Sequence, residues 1–92
     1  MYLVVCYDVV SDRRRGRLMR RLREYLPRVQ KSVFEGPLDD ALLIKMRSMI
    51  LDEIDLTTDT VRIYHLCRGC QSGTELFGTS VFVDAEEHDE VY

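Results

Sequence analysis

The stretch "YLVVCYD", residues 2–8, decides the fold, because it is an apolar strand that ends in a single acid. Its side chains alternate between two faces, and both faces are apolar as far as Asp8. One face carries Tyr2, Val4, Cys6 and Asp8, and the other carries Leu3, Val5 and Tyr7. A strand of this kind is covered on both sides. The stretch therefore predicts a covering layer on each face of its sheet.

The segment that follows predicts an amphipathic helix. Ser11 suits the N-cap and Asp12 the first turn, while Pro27 ends the helix at about Leu26. The apolar side chains fall within about 120° of arc, and these are Leu18, Met19, Leu22, Tyr25 and Leu26. The opposite face carries Arg13, Arg17, Arg20 and Arg21, with Glu24 as the nearby acid at helical spacing. One side of the helix should therefore pack on the sheet and the other should be cationic.

The remaining pattern completes an α+β domain. "RVQKSVFEG" (28–36) predicts one or two strands, 39–54 a second helix, "TVRIYHLC" (60–67) a strand and "TSVFVD" (79–84) a short last strand, with a loop before it. This order predicts a ferredoxin-like βαββαβ sandwich with both helices on one face of the sheet. A second copy of the sheet is the economical cover for the other face, so we expect a homodimer with facing sheets.

Charge is distributed unevenly along the 92 residues, although the net charge is only -3. Residues 1–31 carry +6 and residues 32–92 carry -9, which predicts a polyanion site on one surface. We expect one domain over residues 1–84 and a flexible acidic tail over 85–92. No apolar run approaches the roughly 20 residues that span a bilayer, so the expected location is cytoplasmic and away from membranes.

Arginines near the first strand are the candidates for phosphate binding. A guanidinium offers paired donors that fit phosphate oxygens, and a row of them follows a nucleic-acid backbone without reading bases. Arg13, Arg14 and Arg17 are favoured because they lie nearest Asp8 in sequence. The alternative is a solvated helix face. For Asp8 the alternative is a strand-terminal acid that caps the next turn or pairs with Arg13 or Arg14.

The combination of "YLVVCYDV", an arginine-rich helix, "RVQKSVFEG" and "DTVRIYHLC" resembles the second of the two universal CRISPR adaptation proteins over residues 2–84. The resemblance implies a ferredoxin-like homodimer that cleaves single-stranded RNA or double-stranded DNA and bridges dimers of the partner integrase. It implies that Asp8 is the catalytic carboxylate and binds magnesium, with manganese as the alternative ion, together with its symmetry mate. It also implies that Arg28, Ser32 and Phe34 support activity, with Arg28 binding nucleic acid; the alternatives are strand packing for Phe34 and surface positions for the other two. Tyr7 lies on the opposite face of the strand from Asp8, so it is either a core residue or a supporting residue whose hydroxyl reaches a phosphate.

Magnesium chemistry gives its own reason for pairing two copies of Asp8. The ion typically takes one or two protein carboxylates together with waters and phosphate oxygens, so a single carboxylate is too little for a lasting site. Two chains related by a two-fold axis would together supply two carboxylates. The bound ion would polarise the scissile phosphate and lower the pKa of an attacking water.

Other functions remain open at the level of sequence. A non-catalytic DNA-binding scaffold and a related ribonuclease toxin are both compatible with this pattern. Cys67 and Cys70 form a C-x-x-C pair that could bind zinc, act as a redox pair, or remain as unligated or locally bonded thiols. His65 on a strand is either a general base or a packed histidine.

Overall fold

The computed structural model describes residues 1–78. The elements along the chain are β1 (Tyr2–Asp8), α1 (Asp12–Leu22), β2 (Arg28–Gln30), β3 (Val33–Pro37), α2 (Asp40–Glu53), β4 (Thr60–Leu66) and α3 (Arg68–Ser72). The predicted βαββαβ order is confirmed. The short helix α3 corrects the prediction of a loop after the fourth strand. The predicted last strand at 79–84 and the predicted tail at 85–92 lie outside the described residues.

The four strands form one sheet in the order β2-β3-β1-β4. β1 is antiparallel to both of its neighbours, and this is the ferredoxin-like arrangement. Because β1 is central, Asp8 stands at the end of an interior strand, in register with Thr60 of β4. Segment 28–37 makes two strands rather than one, since residues 31 and 32 form the turn between them.

The core lies between the sheet and the two long helices. β1 contributes its buried side chains Leu3, Val5 and Tyr7. The first helix ends at Leu22 and not at about Leu26 as predicted, because residues 23–26 turn toward Pro27. The predicted apolar side chains Leu18, Leu22 and Leu26 are nevertheless buried, and α2 adds the buried side chains Leu43, Met46, Met49 and Ile50. On the other face of β1, Tyr2, Val4 and Cys6 are half-buried and Asp8 is exposed. One face is therefore covered by helices, as predicted, and cover of the second face by another copy stays a prediction.

Side-chain caps fix where the helices begin. The Ser11 hydroxyl accepts a hydrogen bond from the backbone N–H of Arg14 at 3.2 Å, which confirms its role as the N-cap of α1. Asp39 caps α2 by accepting from the backbone N–H of Leu42 at 2.8 Å. Among residues 1–78, no helix has both the length and the apolar character needed to cross a membrane.

Candidate nucleic-acid and metal site at the end of β1

Asp8 lies exposed between two adjoining clefts at the end of β1. The larger cleft, of about 390 Å³, includes Tyr7, Asp8, Asp12, Arg15, Arg28 and Ser32 in its lining. The smaller, of about 300 Å³, is lined by Cys6, Tyr7, Asp8, Thr60 and Arg62. Four of the residues predicted from sequence therefore converge on one cleft, and they are Tyr7, Asp8, Arg28 and Ser32. We call this larger cleft the Asp8 cleft.

Tyr7 and Phe34 form the packed floor beside Asp8. The two rings stack with their centroids 6.2 Å apart, and Phe34 is completely buried. The Tyr7 hydroxyl donates to the backbone carbonyl of Lys31 at 3.2 Å, and the Tyr7 N–H donates to the carbonyl of Ser32, also at 3.2 Å. These contacts hold the β2–β3 turn against the end of β1. Tyr7 and Phe34 thus support the cleft through packing.

Arg28 braces the same turn from the other side. Its Nε and Nη2 atoms donate to the carbonyl of Lys31 at 3.0 and 2.7 Å, and only 4% of the residue is exposed. The register explains this burial, since Arg28 pairs with Phe34 across β2 and β3. In this arrangement the guanidinium binds the chain's own backbone, and phosphate binding by Arg28 stays a prediction.

The three arginines of α1 that the sequence favours for phosphate binding have different surroundings in the structure. Arg13 is exposed. Arg14 donates Nε to Asp59 Oδ2 at 3.0 Å and Nη2 to Asp59 Oδ1 at 3.1 Å. Arg17 donates Nε to Glu53 at 2.9 Å. None of the three lines the Asp8 cleft, and two of them already hold carboxylates.

Two of the acids that neutralise arginines of α1, Glu53 and Asp59, come from distant parts of the chain. Glu53 at the end of α2 binds both Arg17 and Arg21, whose Nη1 lies 2.7 Å from Oε2. Hydrogen bonds from Arg21 and then Arg17 lower the pKa of Glu53 below its usual value. Glu24, the local acid that the sequence pairs with this face, makes no ion pair within residues 1–78. The cationic face is therefore less cationic than the sequence indicates.

Asp59 ties together the two chain segments that flank Asp8. Its carboxylate accepts from the backbone N–H of Val10 at 3.0 Å and of Asp55 at 2.8 Å, in addition to Arg14. These bonds, with Arg14 the strongest, hold the pKa of Asp59 well below its usual range. Val10 follows β1 and Asp59 precedes β4, so this carboxylate fixes the loop on either side of the Asp8–Thr60 pair.

Arg15 is the cleft residue that sequence reasoning missed. Its Nη1 donates to the carbonyl of Val9 at 2.8 Å, and its Nη2 pairs with Asp12. Both contacts orient the guanidinium toward the Asp8 cleft, which it lines. A signal was available, because Asp12 and Arg15 stand three residues apart on a helix and such pairs lie side by side.

Residues 1–78 form a ferredoxin-like fold with an exposed acid and an oriented arginine at the end of the interior strand β1. The family model for CRISPR associated protein Cas2 matches residues 1–74, and the chain belongs to this family. The family resemblance seen in the sequence motifs is thereby confirmed.

Individual relatives agree with this assignment. The chain is 39% identical over 79 residues to the CRISPR-associated endoribonuclease Cas2 2 of Synechocystis sp., and the match covers 85% of each chain. It is 37% identical over 78 residues to the CRISPR-associated endoribonuclease Cas2 of Frankia alni, covering 85% of this chain and 88% of that one. The crystal structure of Streptococcus pyogenes Cas2 at pH 6.5 superposes with a TM-score of 0.74 at 30% identity, covering 85% of this chain and 100% of that chain.

Proposed function

We propose that this chain is a CRISPR-associated endonuclease that hydrolyses phosphodiester bonds. Asp8 is its catalytic carboxylate, and magnesium or manganese is its metal. The observation that carries the proposal is the exposed Asp8 carboxylate in a cleft that also holds the oriented guanidinium of Arg15. Relatives named as endoribonucleases support RNA as the substrate. Double-stranded DNA is the second substrate to be tested.

The donor atoms at the cleft suit a hard divalent ion that is shared between two chains. Asp8 offers carboxylate oxygens, which magnesium prefers, and the ion needs only one or two of them beside waters and phosphate oxygens. Residues 1–78 of a single chain contain no cluster of three His, Cys, Asp or Glu side chains that could hold a metal. We therefore assign the metal to Asp8 of two copies. When bound, the metal supplies Lewis-acid polarisation of the phosphate and acidification of a water.

The chain's own residues bind and orient the substrate around that centre. Arg15 lines the Asp8 cleft, and the N–H groups that it does not use on Val9 and Asp12 can donate to a phosphate beside Asp8. Exposed Arg13 would contact the neighbouring phosphate. Such contacts read the backbone and not the bases, so cleavage should depend weakly on sequence. Tyr7, Arg28 and Phe34 hold the turn at residues 31 and 32 in place and so keep the cleft open.

The outer face of the sheet supports the homodimer. Tyr2, Val4 and Cys6 on β1 are half-buried within one chain. Tyr64 on β4, the register partner of Val4, is 47% exposed. A second copy packed on this face would bury these apolar groups and bring two Asp8 carboxylates toward one axis, because Asp8 lies on the same face. Membership of the family further supports a complex in which this dimer bridges dimers of the CRISPR integrase.

Cleavage by the Asp8→Asn variant tests the proposal. Wild type and variant are incubated with labelled single-stranded RNA and double-stranded DNA, with magnesium, with manganese and with a chelator. We expect Asp8→Asn to fall to the level of the chelated wild type, because the amide loses the negative charge that holds the metal. The control is Asp40→Asn, an exposed acid at the start of α2, which should cleave like wild type.

Cleavage by Asp8→Asn at the wild-type rate would overturn the nuclease assignment. Spacer acquisition measured in cells with the same variant separates the second role. If acquisition persists while cleavage is lost, the chain bridges the integrase without needing its nuclease chemistry.

A further inference from the structure

Two exposed thiols face one another where β4 passes into α3. The sulfur atoms of Cys67 and Cys70 lie 3.5 Å apart, and both residues are free and exposed. They belong to neither cleft around Asp8. The distance is short enough for a small rotation of either side chain to bring the two sulfurs to bonding distance.

The two thiols have different environments. The sulfur of Cys67 accepts a hydrogen bond from the backbone N–H of Cys70 at 3.4 Å, and it lies 3.5 Å from the sulfur of Cys70. These contacts stabilise negative charge on Cys67 and lower its pKa, while the neighbouring Cys67 sulfur raises the pKa of Cys70. Cys67 is therefore the nucleophile of the pair and Cys70 the resolving thiol.

We propose that Cys67 and Cys70 form a redox-active dithiol that exchanges with low-molecular-weight disulfides such as glutathione disulfide. The Cys67 thiolate attacks one sulfur of that disulfide, an S–S bond forms to Cys67, and one glutathione thiolate leaves and takes up a proton. Cys70 then loses its proton and attacks the Cys67 sulfur, releasing the second glutathione. The protein dithiol loses two electrons and becomes an intramolecular disulfide, and the glutathione disulfide gains them as two thiols.

Open space beside Cys67 allows a small disulfide to approach it. A cleft of about 660 Å³ reaches Cys67 from the β4 side, and Met1, His65 and Arg68 are among its lining residues. Zinc is the competing occupant for a C-x-x-C pair, but a structural zinc site needs four ligands. Residues 1–78 place no third His, Cys, Asp or Glu with these two thiols in a group that could hold a metal. The geometry therefore favours the two-thiol reaction.

Oxidation would fix the first turn of α3 against the end of β4. Cys67 already caps α3, and Gln71 donates Nε2 to the carbonyl of Leu66 at 3.4 Å, so the two elements are in contact. A covalent bond from Cys67 to Cys70 would hold this corner in one conformation. The direction in which the chain leaves the edge strand β4 would then depend on the redox state.

The test uses the full-length protein carrying Cys6→Ser, so that Cys67 and Cys70 are the remaining thiols. It is equilibrated with graded ratios of glutathione to glutathione disulfide, quenched with an alkylating agent and measured by intact-mass spectrometry. We expect the loss of two hydrogen atoms per chain, mapped by proteolysis to the peptide with residues 67–70. Circular dichroism of each variant shows that it is folded.

Single serine variants in the same background assign the roles. Cys70→Ser should trap a mixed disulfide of glutathione on Cys67. Cys67→Ser should react at Cys70 more slowly, because it lacks the Cys67 thiolate that the backbone N–H of Cys70 stabilises. Two reduced thiols across the whole series, disulfides between chains, or equal rates for the two variants would each overturn the proposal.

Discussion

Glu53→Gln should weaken the fold and strengthen nucleic-acid binding at the same time. Glu53 joins Arg17 and Arg21 of α1 to the end of α2, and its side chain is 9% exposed. The two arginine side chains are 44% and 43% exposed, so both can turn outward once they are released. A glutamine amide has one oxygen that can accept a hydrogen bond. Its NH₂ group is a donor, and it would face the N–H donors of one guanidinium without forming a hydrogen bond. At least one ion pair is therefore lost, and both are weakened.

The expected size of the gain follows from the number of released cations. Each additional phosphate contact steepens the slope of log affinity against log salt by about 0.9 on duplex DNA and about 0.7 on a single strand. Two released arginines therefore steepen the slope by up to about 1.8 per chain on duplex DNA. Thermal stability should fall, because the contact between α1 and α2 loses its buried carboxylate.

Fluorescence anisotropy with labelled duplex DNA and single-stranded RNA, over about 50 to 200 mM salt, measures the slope. Circular dichroism melting curves measure the stability. Asp40→Asn is the matched control, since it removes the same charge from the exposed start of α2. If Glu53→Gln and Asp40→Asn show the same slope, Arg17 and Arg21 do not meet phosphates, and the reasoning is refuted.

Three further predictions follow from buried or paired groups. Phe34→Ala should cost about 3–5 kcal/mol in urea unfolding, because it empties a fully buried site under Tyr7; a loss below about 1 kcal/mol would contradict the packing described. The lowered pKa of Asp59 means that its charge stabilises the fold above the unfolded value of about 3.9 and that this stability is lost as pH falls below it. Melting curves from pH 7 to 2 should therefore drop more steeply for wild type than for Asp59→Asn, and parallel curves would speak against it. Burial, aided by Glu35, raises the pKa of Tyr2 to about 12, so alkaline absorbance titration should show a late tyrosine ionisation that Glu35→Gln shifts to lower pH.

Local and periodic features of the fold could be predicted from the sequence. β1, the Ser11 cap and the apolar stripe of the first helix each depend on a few neighbouring residues, and the structure confirms them. Helix α3 was missed because its five residues include Gly69 and are too few to show a period. Asp8 could be placed at a strand end, but its cleft partner Arg15 could not be chosen from among adjacent arginines by charge alone.

Long-range pairing is where the sequence was least informative. Arg14 meets Asp59 across 45 positions and Arg17 meets Glu53 across 36, and no helical spacing encodes such contacts. The burial of Arg28 had no signal in strand alternation, because the turn at residues 31 and 32 and the irregular register between Arg28 and Gln30 interrupt it before Phe34. The charge of Arg28 favoured an exposed assignment. Charge alone thus overestimates the cationic surface when the neutralising acids lie elsewhere in the chain.

The alternation along β1 has a consequence for how this protein can change over evolution. Val4, Cys6 and Asp8 share one face of β1. Substitutions that keep this segment a strand therefore keep the apolar side chains and the acid on the same face. Inserting one residue between Val4 and Cys6 would send the acid inward among leucines and turn core side chains outward. A lineage that retains this strand therefore inherits its half-buried apolar face and its acid as one trait.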